Sequence, residues 1–241
     1  MKPQIVIENY NPQGVNNANI LQSVERLEKG KGYRDLSTIC IVPTRGLISA
    51  KVTQAWMGLI APMNQKFTRI FMIGMEVGEA YNAAIETILD NPDLSNWKYV
   101  LTLEEDNIPP PDGLIKLYEN IDDYAALGGL YWTKGEGGQP MIYGDPEDKE
   151  LNFRPQMPVK DIQECNGLGM GFTLFKLDLF KDVKIEKPWF KTCQEWDSQK
   201  GCKVYTQDLY FFEKIKKLSY KVACDTRVKV GHYSFEQDIV W

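Results

Sequence analysis

The chain has 241 residues, 43% of them hydrophobic and 25% charged, and a formal charge of −5 from 28 basic and 33 acidic side chains. That suffices for one large domain with a full core, or at most two small ones, and excludes a disordered, low-complexity or repeat-built chain. The acidic balance argues against a nucleic-acid partner, and no apolar stretch approaches the roughly 18 residues of a membrane span.

The first thirty-odd residues carry one candidate strand (Ile5 to Ile7) and one candidate helix (Ile20 to Leu27). They read as an extension, 1–35, packed on a single domain covering 36–241. Thr38 to Val42 is a short β-rich run stopped by Pro43-Thr44-Arg45-Gly46, as expected of a buried strand ending in a turn. Ile48, Val52, Ala55, Trp56 and Leu59 then fall at helical spacing. Phe67 to Ile73 is the second strand, and a helix from about Gly78 is stopped by Asn91-Pro92. The third strand runs from Tyr99 into Glu104-Glu105-Asp106, with Leu114, Leu117, Tyr118 and Ile121 marking the helix behind it. A fourth strand is expected at Ala125–Tyr131.

Strands alternating with helices predict a mostly parallel central sheet covered on both faces, in an α/β fold. After about Gly135 the pattern breaks into turns, a Gly-rich segment at 165–172 and a polar aromatic stretch at 187–201, before a last helix from about Thr206. The basic run Lys214-Ile215-Lys216-Lys217 reads as that helix's solvated face. Five cysteines (Cys40, Cys165, Cys193, Cys202, Cys224) are scattered without a C-x-x-C pair, so reduced structural thiols are expected. The N-terminus lacks a basic-then-apolar signal pattern, which makes a soluble, cytoplasmic protein the expectation.

Three consecutive carboxylates at the mouth of a buried strand are costly unless a cation or hydrogen-bond donors compensate them. In an extended segment Glu104 and Asp106 share one face and Glu105 points away. Two convergent carboxylates suit a hard divalent cation such as Mg²⁺ or Mn²⁺. The competing reading is that Asp106, Asn107 or Asp112 caps the next helix. Capping accounts for one acid and leaves two. In open α/β sheets ligands sit beyond the carboxyl ends of the strands, where Pro43-Thr44-Arg45 and the acidic triplet both fall.

A strand ending in Pro-Thr-Arg, a helix carrying Tyr81-Asn82-Ala83-Ala84 and an apolar strand closing on an acidic triplet together resemble the GT-A glycosyltransferases. The likeness covers roughly 36–235 and is strongest over 38–130. It implies a Rossmann-like GT-A domain with an irregular acceptor-side C-terminal half. The triplet, Glu-Glu-Asp here, stands where that family has Asp-x-Asp. By resemblance Asp106 is the metal ligand, Glu104 faces the ribose or the metal, and Glu105 faces the donor sugar. Pro43, Thr44, Arg45 and Asn82 would hold the nucleotide, with Arg45 suited to phosphate. His232, the only histidine, lies where the family carries a C-terminal metal ligand; by itself it reads more readily as a surface or satisfied core residue.

Asp208, near the start of the last helix, would be the base that takes the acceptor hydroxyl's proton if the anomer inverts. Its structural reading is a first-turn acid beside the helix dipole, with Thr206 as cap. Gln207 replaces the acid often found just before it. Tyr131, Trp132, Trp189 and Trp196 offer aromatic platforms for sugar rings, although core packing explains any one of them. Gly167, Gly169 and Gly171 lack the dinucleotide spacing and suggest close backbone approach to a ligand, or simply tight turns.

The implied activity is a metal-dependent hexosyltransferase: transfer from a nucleotide-sugar donor, a UDP-sugar foremost, to a carbohydrate or other hydroxyl acceptor, with Mn²⁺ or Mg²⁺ and inversion favoured over retention. A non-catalytic nucleotide-sugar-binding module is the alternative from another class. A nucleotidyltransferase ranks lower, for want of a Gly-Gly-x-Gly-x-Arg-like loop after an early strand. A two-metal phosphoesterase would need more His or Asp ligands.

Overall fold

The computed structural model of the chain describes residues 34–62, 65–198 and 201–241. The extension expected over 1–35 therefore lies outside the described residues, apart from Arg34 and Asp35. In chain order the elements are β1 (Thr38–Thr44), α1 (Ala50–Met57), β2 (Phe67–Ile73), α2 (Val77–Asp90), β3 (Tyr99–Leu103), β4 (Asn107–Ile108), α3 (Gly113–Asn120), β5 (Ala126–Leu130) and β6 (Ile142–Tyr143). They continue with β7 (Ile162–Cys165), β8 (Gly167–Leu168), β9 (Phe172–Lys176), β10 (Cys193–Asp197), β11 (Gly201–Tyr205), α4 (Gln207–Lys217), β12 (Val222–Lys229), β13 (Gly231–Ser234) and β14 (Ile239–Val240).

A seven-stranded sheet in the order β2-β1-β3-β9-β5-β12-β7 forms the centre. β1 runs parallel to β2 and β3, and β12 parallel to β5; β9 is antiparallel to both β3 and β5, and β7 to β12. β1, β2, β3, β5 and β12 thus share one direction, giving the mostly parallel α/β sheet that the alternating pattern predicts. The half whose connections look irregular supplies β7, β9 and β12 to that same sheet.

Burial explains the residue choices. β1 is buried along its whole length, as a central strand covered on both faces must be. β2, at the sheet edge, alternates between half-buried and exposed positions. Ile39 and Ile41 pack on one face with Tyr81, Ile85 and Ile88 of α2 and Phe211, Phe212 and Ile215 of α4. Cys40 and Val42, one residue out of phase, pack on the other with Val52 and Trp56 of α1 and Leu114, Leu117 and Tyr118 of α3. Helices on both faces leave the strand ends free, so β1 and β3 deliver Thr44 and Leu103 to one rim of the sheet.

Helix starts follow local chemistry. Ser49 accepts from the Lys51 N–H ahead of α1, and Glu76 from the Glu79 N–H ahead of α2. Asp112 holds the N-cap position of α3 without a side-chain capping bond and pairs instead with Lys116 at 2.7 Å. Capping therefore does not account for the acidic triplet. Cys40, Cys165 and Cys224 are buried free thiols, and Cys193 is also free. No helix among the described residues is long and apolar enough to cross a membrane.

Candidate active site

The triplet leaves β3 not as an extended strand but as a tight turn, closed by the Asn107 N–H on the Glu104 carbonyl at 3.0 Å. Neighbours pin that turn from three sides. The Glu104 N–H donates to the Gly171 carbonyl (3.3 Å), the Tyr233 N–H to that of Asp106 (2.7 Å), and the Trp56 indole to that of Asn107 (2.9 Å). Gly171 must be glycine here, because a Cβ would collide with the buried Asn107 carboxamide. Gly169 is fixed likewise, since its Cβ would meet Tyr131 Oη. Close approach is thus what the Gly-rich segment provides.

Because the segment turns, its three carboxylates diverge, and each finds a different partner. Glu105 points back to β1, where it accepts from Thr44 Oγ1 (2.7 Å), the Arg45 N–H (2.8 Å) and Arg45 Nε (2.6 Å). Burial alone would raise its pKa, but these donors and the guanidinium hold it below the ordinary carboxylate value. Glu104 turns inward and accepts from the Tyr81 hydroxyl at 3.1 Å. Burial, with Asp106 and Asp208 as like-charged neighbours, lifts it from the ordinary 4.5 to about 8, so the side chain is largely protonated at neutral pH. Asp106 meets Lys134 Nζ at 2.5 Å and His232 Nε2 at 3.6 Å. Burial works against its charge, and contacts with His232 and Lys134 overcome that, keeping it below its usual pKa.

His232 is set by its other nitrogen. Nδ1 lies 2.8 Å from the Trp132 carbonyl, which can only accept, so the proton sits on Nδ1. That leaves Nε2 facing Asp106 Oδ2 at 3.6 Å. The Tyr131 ring meets the imidazole edge-on at 5.4 Å and steadies it.

Pro43, Thr44, Arg45, Glu104, Glu105 and Asp106 line one cavity of about 330 Å³, whose wall is completed by Met75, Val77 and Gln207. This brings two sequence-distant strand ends together beyond the sheet. A neighbouring hollow of about 300 Å³ shares Arg45, Glu105 and Asp106 and is walled by Leu47, Tyr233 and Phe235.

Three candidates lie outside that lining: His232, which meets it through Asp106, and Asn82 and Asp208. Asn82 does not line the cavity: its amide donates to the Phe190 carbonyl (2.7 Å) and accepts from the Phe190 N–H (3.1 Å), tying α2 to the following loop. Asp208 is 5% exposed in the first turn of α4, accepts from the Leu209 N–H at 2.8 Å, and is pushed up in pKa by burial. Its neighbour Gln207 is the residue that reaches the wall. Among the aromatic platforms, Tyr131 and Trp189 are core residues, Trp189 edge-on to Phe180 at 5.9 Å. Trp196 is exposed and Trp132 half-buried.

Lys134 is the contributor that sequence reasoning passed over; Tyr81 entered it only within the helix motif and Tyr131 only as an aromatic platform, not as neighbours of Glu104 and His232. Lys134 had one local signal, a lone cation between the Trp132 strand end and the glycines at 135, 137 and 138.

Among the described residues no three His, Cys, Asp or Glu side chains converge as a metal-holding group. Asp106 and His232 form a two-residue set that suits a cation completing its shell with water and phosphate oxygens, as Mg²⁺ commonly does. The 3.6 Å between Asp106 Oδ2 and His232 Nε2 is a distance two ligands of one ion can span.

No protein-family model matches the sequence, and no curated protein matches it. Solved structures do. The crystal structure of A197 from STIV aligns with a TM-score of 0.58 at 18% identity, covering 85% of this chain and 92% of that one. S. aureus TarS 1-349 in complex with UDP-GlcNAc aligns with a TM-score of 0.45 at 14% identity, covering 78% of this chain and 55% of that one. The chain thus spans just over half the length of that TarS chain. At 18% identity over most of both chains, the A197 match speaks for a shared fold and for nothing finer.

Proposed function

We propose that the chain is a glycosyltransferase that uses a nucleotide-sugar donor, with a UDP-sugar the foremost candidate and a carbohydrate or other hydroxyl compound as acceptor. The observation that carries this reading is the cavity at the carboxyl ends of β1 and β3, where Thr44, Arg45, Glu105 and Asp106 converge. The exposed Arg45 guanidinium lines it, and the Lys134 ammonium pairs with Asp106 of its wall, cations of the kind an anionic diphosphate requires. The GT-A resemblance of the two strand ends adds the nucleotide sugar to that picture.

In this reading Arg45 and Lys134 bind the donor's phosphates and oppose the charge that grows on the leaving diphosphate. Asp106 and His232 would hold Mn²⁺ or Mg²⁺, whose contribution is further neutralisation of that leaving group. Glu105 orients Arg45 and fixes the Thr44 turn. By the GT-A resemblance Asp208 would be the proton acceptor for the attacking hydroxyl under inversion, although it lies buried behind Gln207, outside the cavity lining.

A thermal-shift panel of UDP-, GDP-, CMP- and ADP-sugars, each with and without Mn²⁺, tests the assignment. Stabilisation by a UDP-sugar with metal present is expected. Equal shifts for all donors, or none for any, would overturn it. Donor hydrolysis separates an enzyme from a module that only binds.

A further inference from the structure

We propose that Lys134 is a built-in counter-cation that competes with a divalent ion for Asp106, so that loading of the Asp106–His232 pair waits on an anionic ligand able to take the ammonium. This rests on the donor reading above and adds an order of events to it. The observation is positional. Lys134 Nζ sits 2.5 Å from Asp106 Oδ2, the same oxygen that faces His232 Nε2 at 3.6 Å. One oxygen serves both contacts, so an ion shared with His232 and the ammonium cannot both hold it at full strength.

The surroundings make the ammonium displaceable. The Lys134 side chain is 34% exposed and that of Asp106 28%, so water screens the pair and its net strength is modest. A lysine head is a point charge on a four-carbon stem, free to swing to a new partner while its backbone stays put. The backbone is held: the Thr133 N–H donates to the Gln139 carbonyl (2.9 Å), and the Gln139 N–H to Thr133 Oγ1 (2.9 Å). Gly135 and Gly137, at φ +104° and +76°, form the tip of that loop. Lys134 is thus carried on a fixed base beside a cavity already bordered by Arg45. A diphosphate entering there would offer the ammonium a more strongly charged partner than Asp106 and leave the carboxylate to the divalent ion. By linkage, metal and nucleotide then favour one another's binding by equal factors.

The test uses the full chain stripped of metal by chelator. Free Mn²⁺ is followed by electron paramagnetic resonance, with and without UDP, for wild type, Lys134→Ala and Asp106→Asn. In the absence of nucleotide, Lys134→Ala is expected to bind Mn²⁺ about fivefold more tightly than wild type, and Asp106→Asn to lose the site. UDP should tighten Mn²⁺ binding in wild type by a larger factor than in Lys134→Ala, which has no ammonium left to remove. Unchanged or weaker Mn²⁺ binding by nucleotide-free Lys134→Ala overturns the competition, as does absence of binding in every variant. Tighter Mn²⁺ binding by Lys134→Ala with UDP inert throughout would uphold the competition and sink the nucleotide reading, which keeps the two failures apart. Circular dichroism of each variant confirms that the fold is intact.

Discussion

Glu104→Gln should stabilise the metal-free protein, and do so increasingly as pH rises. Glu104 is the one member of the triplet whose charged form the fold disfavours, its pKa lying at about 8 against an ordinary 4.5. A group raised in this way contributes stability that is complete below the unfolded value and is lost as pH climbs through the folded one. Linkage puts the loss at about 1 kcal/mol by pH 5 and about 3 kcal/mol by pH 7 as an upper bound. Glu104 is only partly covered, so solvent relieves part of the penalty and roughly half that loss is the expected size. Glutamine has the shape of the protonated acid and can still accept from Tyr81, whose hydroxyl lies 3.1 Å from Oε1. Urea titrations of wild type and variant in chelator at pH 5, 6, 7 and 8 read the difference directly, because every other titrating group is common to both. A gap that widens with pH supports the assignment. A constant gap, or wild type gaining on the variant as pH rises, would refute it.

Glu105→Gln should do the opposite, costing about 2 kcal/mol at pH 7, since three donors lose a charged acceptor. Its lowered pKa means that stability is present above the ordinary carboxylate range and lost below it, so the variant's deficit should shrink as pH falls towards 3 in the same urea titrations. Asp208→Asn is expected to lower transfer at least about 100-fold with no loss of stability, since burial already disfavours its charge; activity near wild type would remove it as the base.

How much of this is legible in the sequence depends on the range of the forces concerned. Thr38 to Val42 and Phe67 to Ile73 declare themselves by local apolar runs, and Asn91-Pro92 ends α2 as its chemistry dictates. β9 does not declare itself. Phe172 to Lys176 is a short apolar run after glycines, and nothing local says that it slots antiparallel between β3 and β5. That placement is decided by pairing across some 70 residues of chain. The site divides along the same line. The strand-end residues Thr44, Arg45 and Glu104 to Asp106 meet because parallel strands end on one rim, a rule of the fold class. Asn82 misses that rim because both ends of its amide are taken up by the Phe190 backbone, a contact between segments that no spacing reveals. Lys134 meets Asp106 from a glycine-rich turn, where its one local signal, being the lone cation, says nothing of that contact.

The crowding of three carboxylates has an answer that the sequence does not anticipate, for each is compensated by a different means. A proton serves Glu104, a guanidinium with two further donors serves Glu105, and an ammonium serves Asp106. Repulsion within the triplet is therefore already relieved by the chain's own groups, and density of negative charge does not by itself call for a metal ion. What speaks for one is narrower. His232 is held by the Trp132 carbonyl so that its Nε2 faces Asp106 Oδ2 across 3.6 Å. A proton on Nε2 or a divalent ion between the two atoms would each satisfy that pairing. Lys134 meets the same oxygen, so the Asp106–His232 pairing, more than the density of acids, is where the case for divalent metal rests.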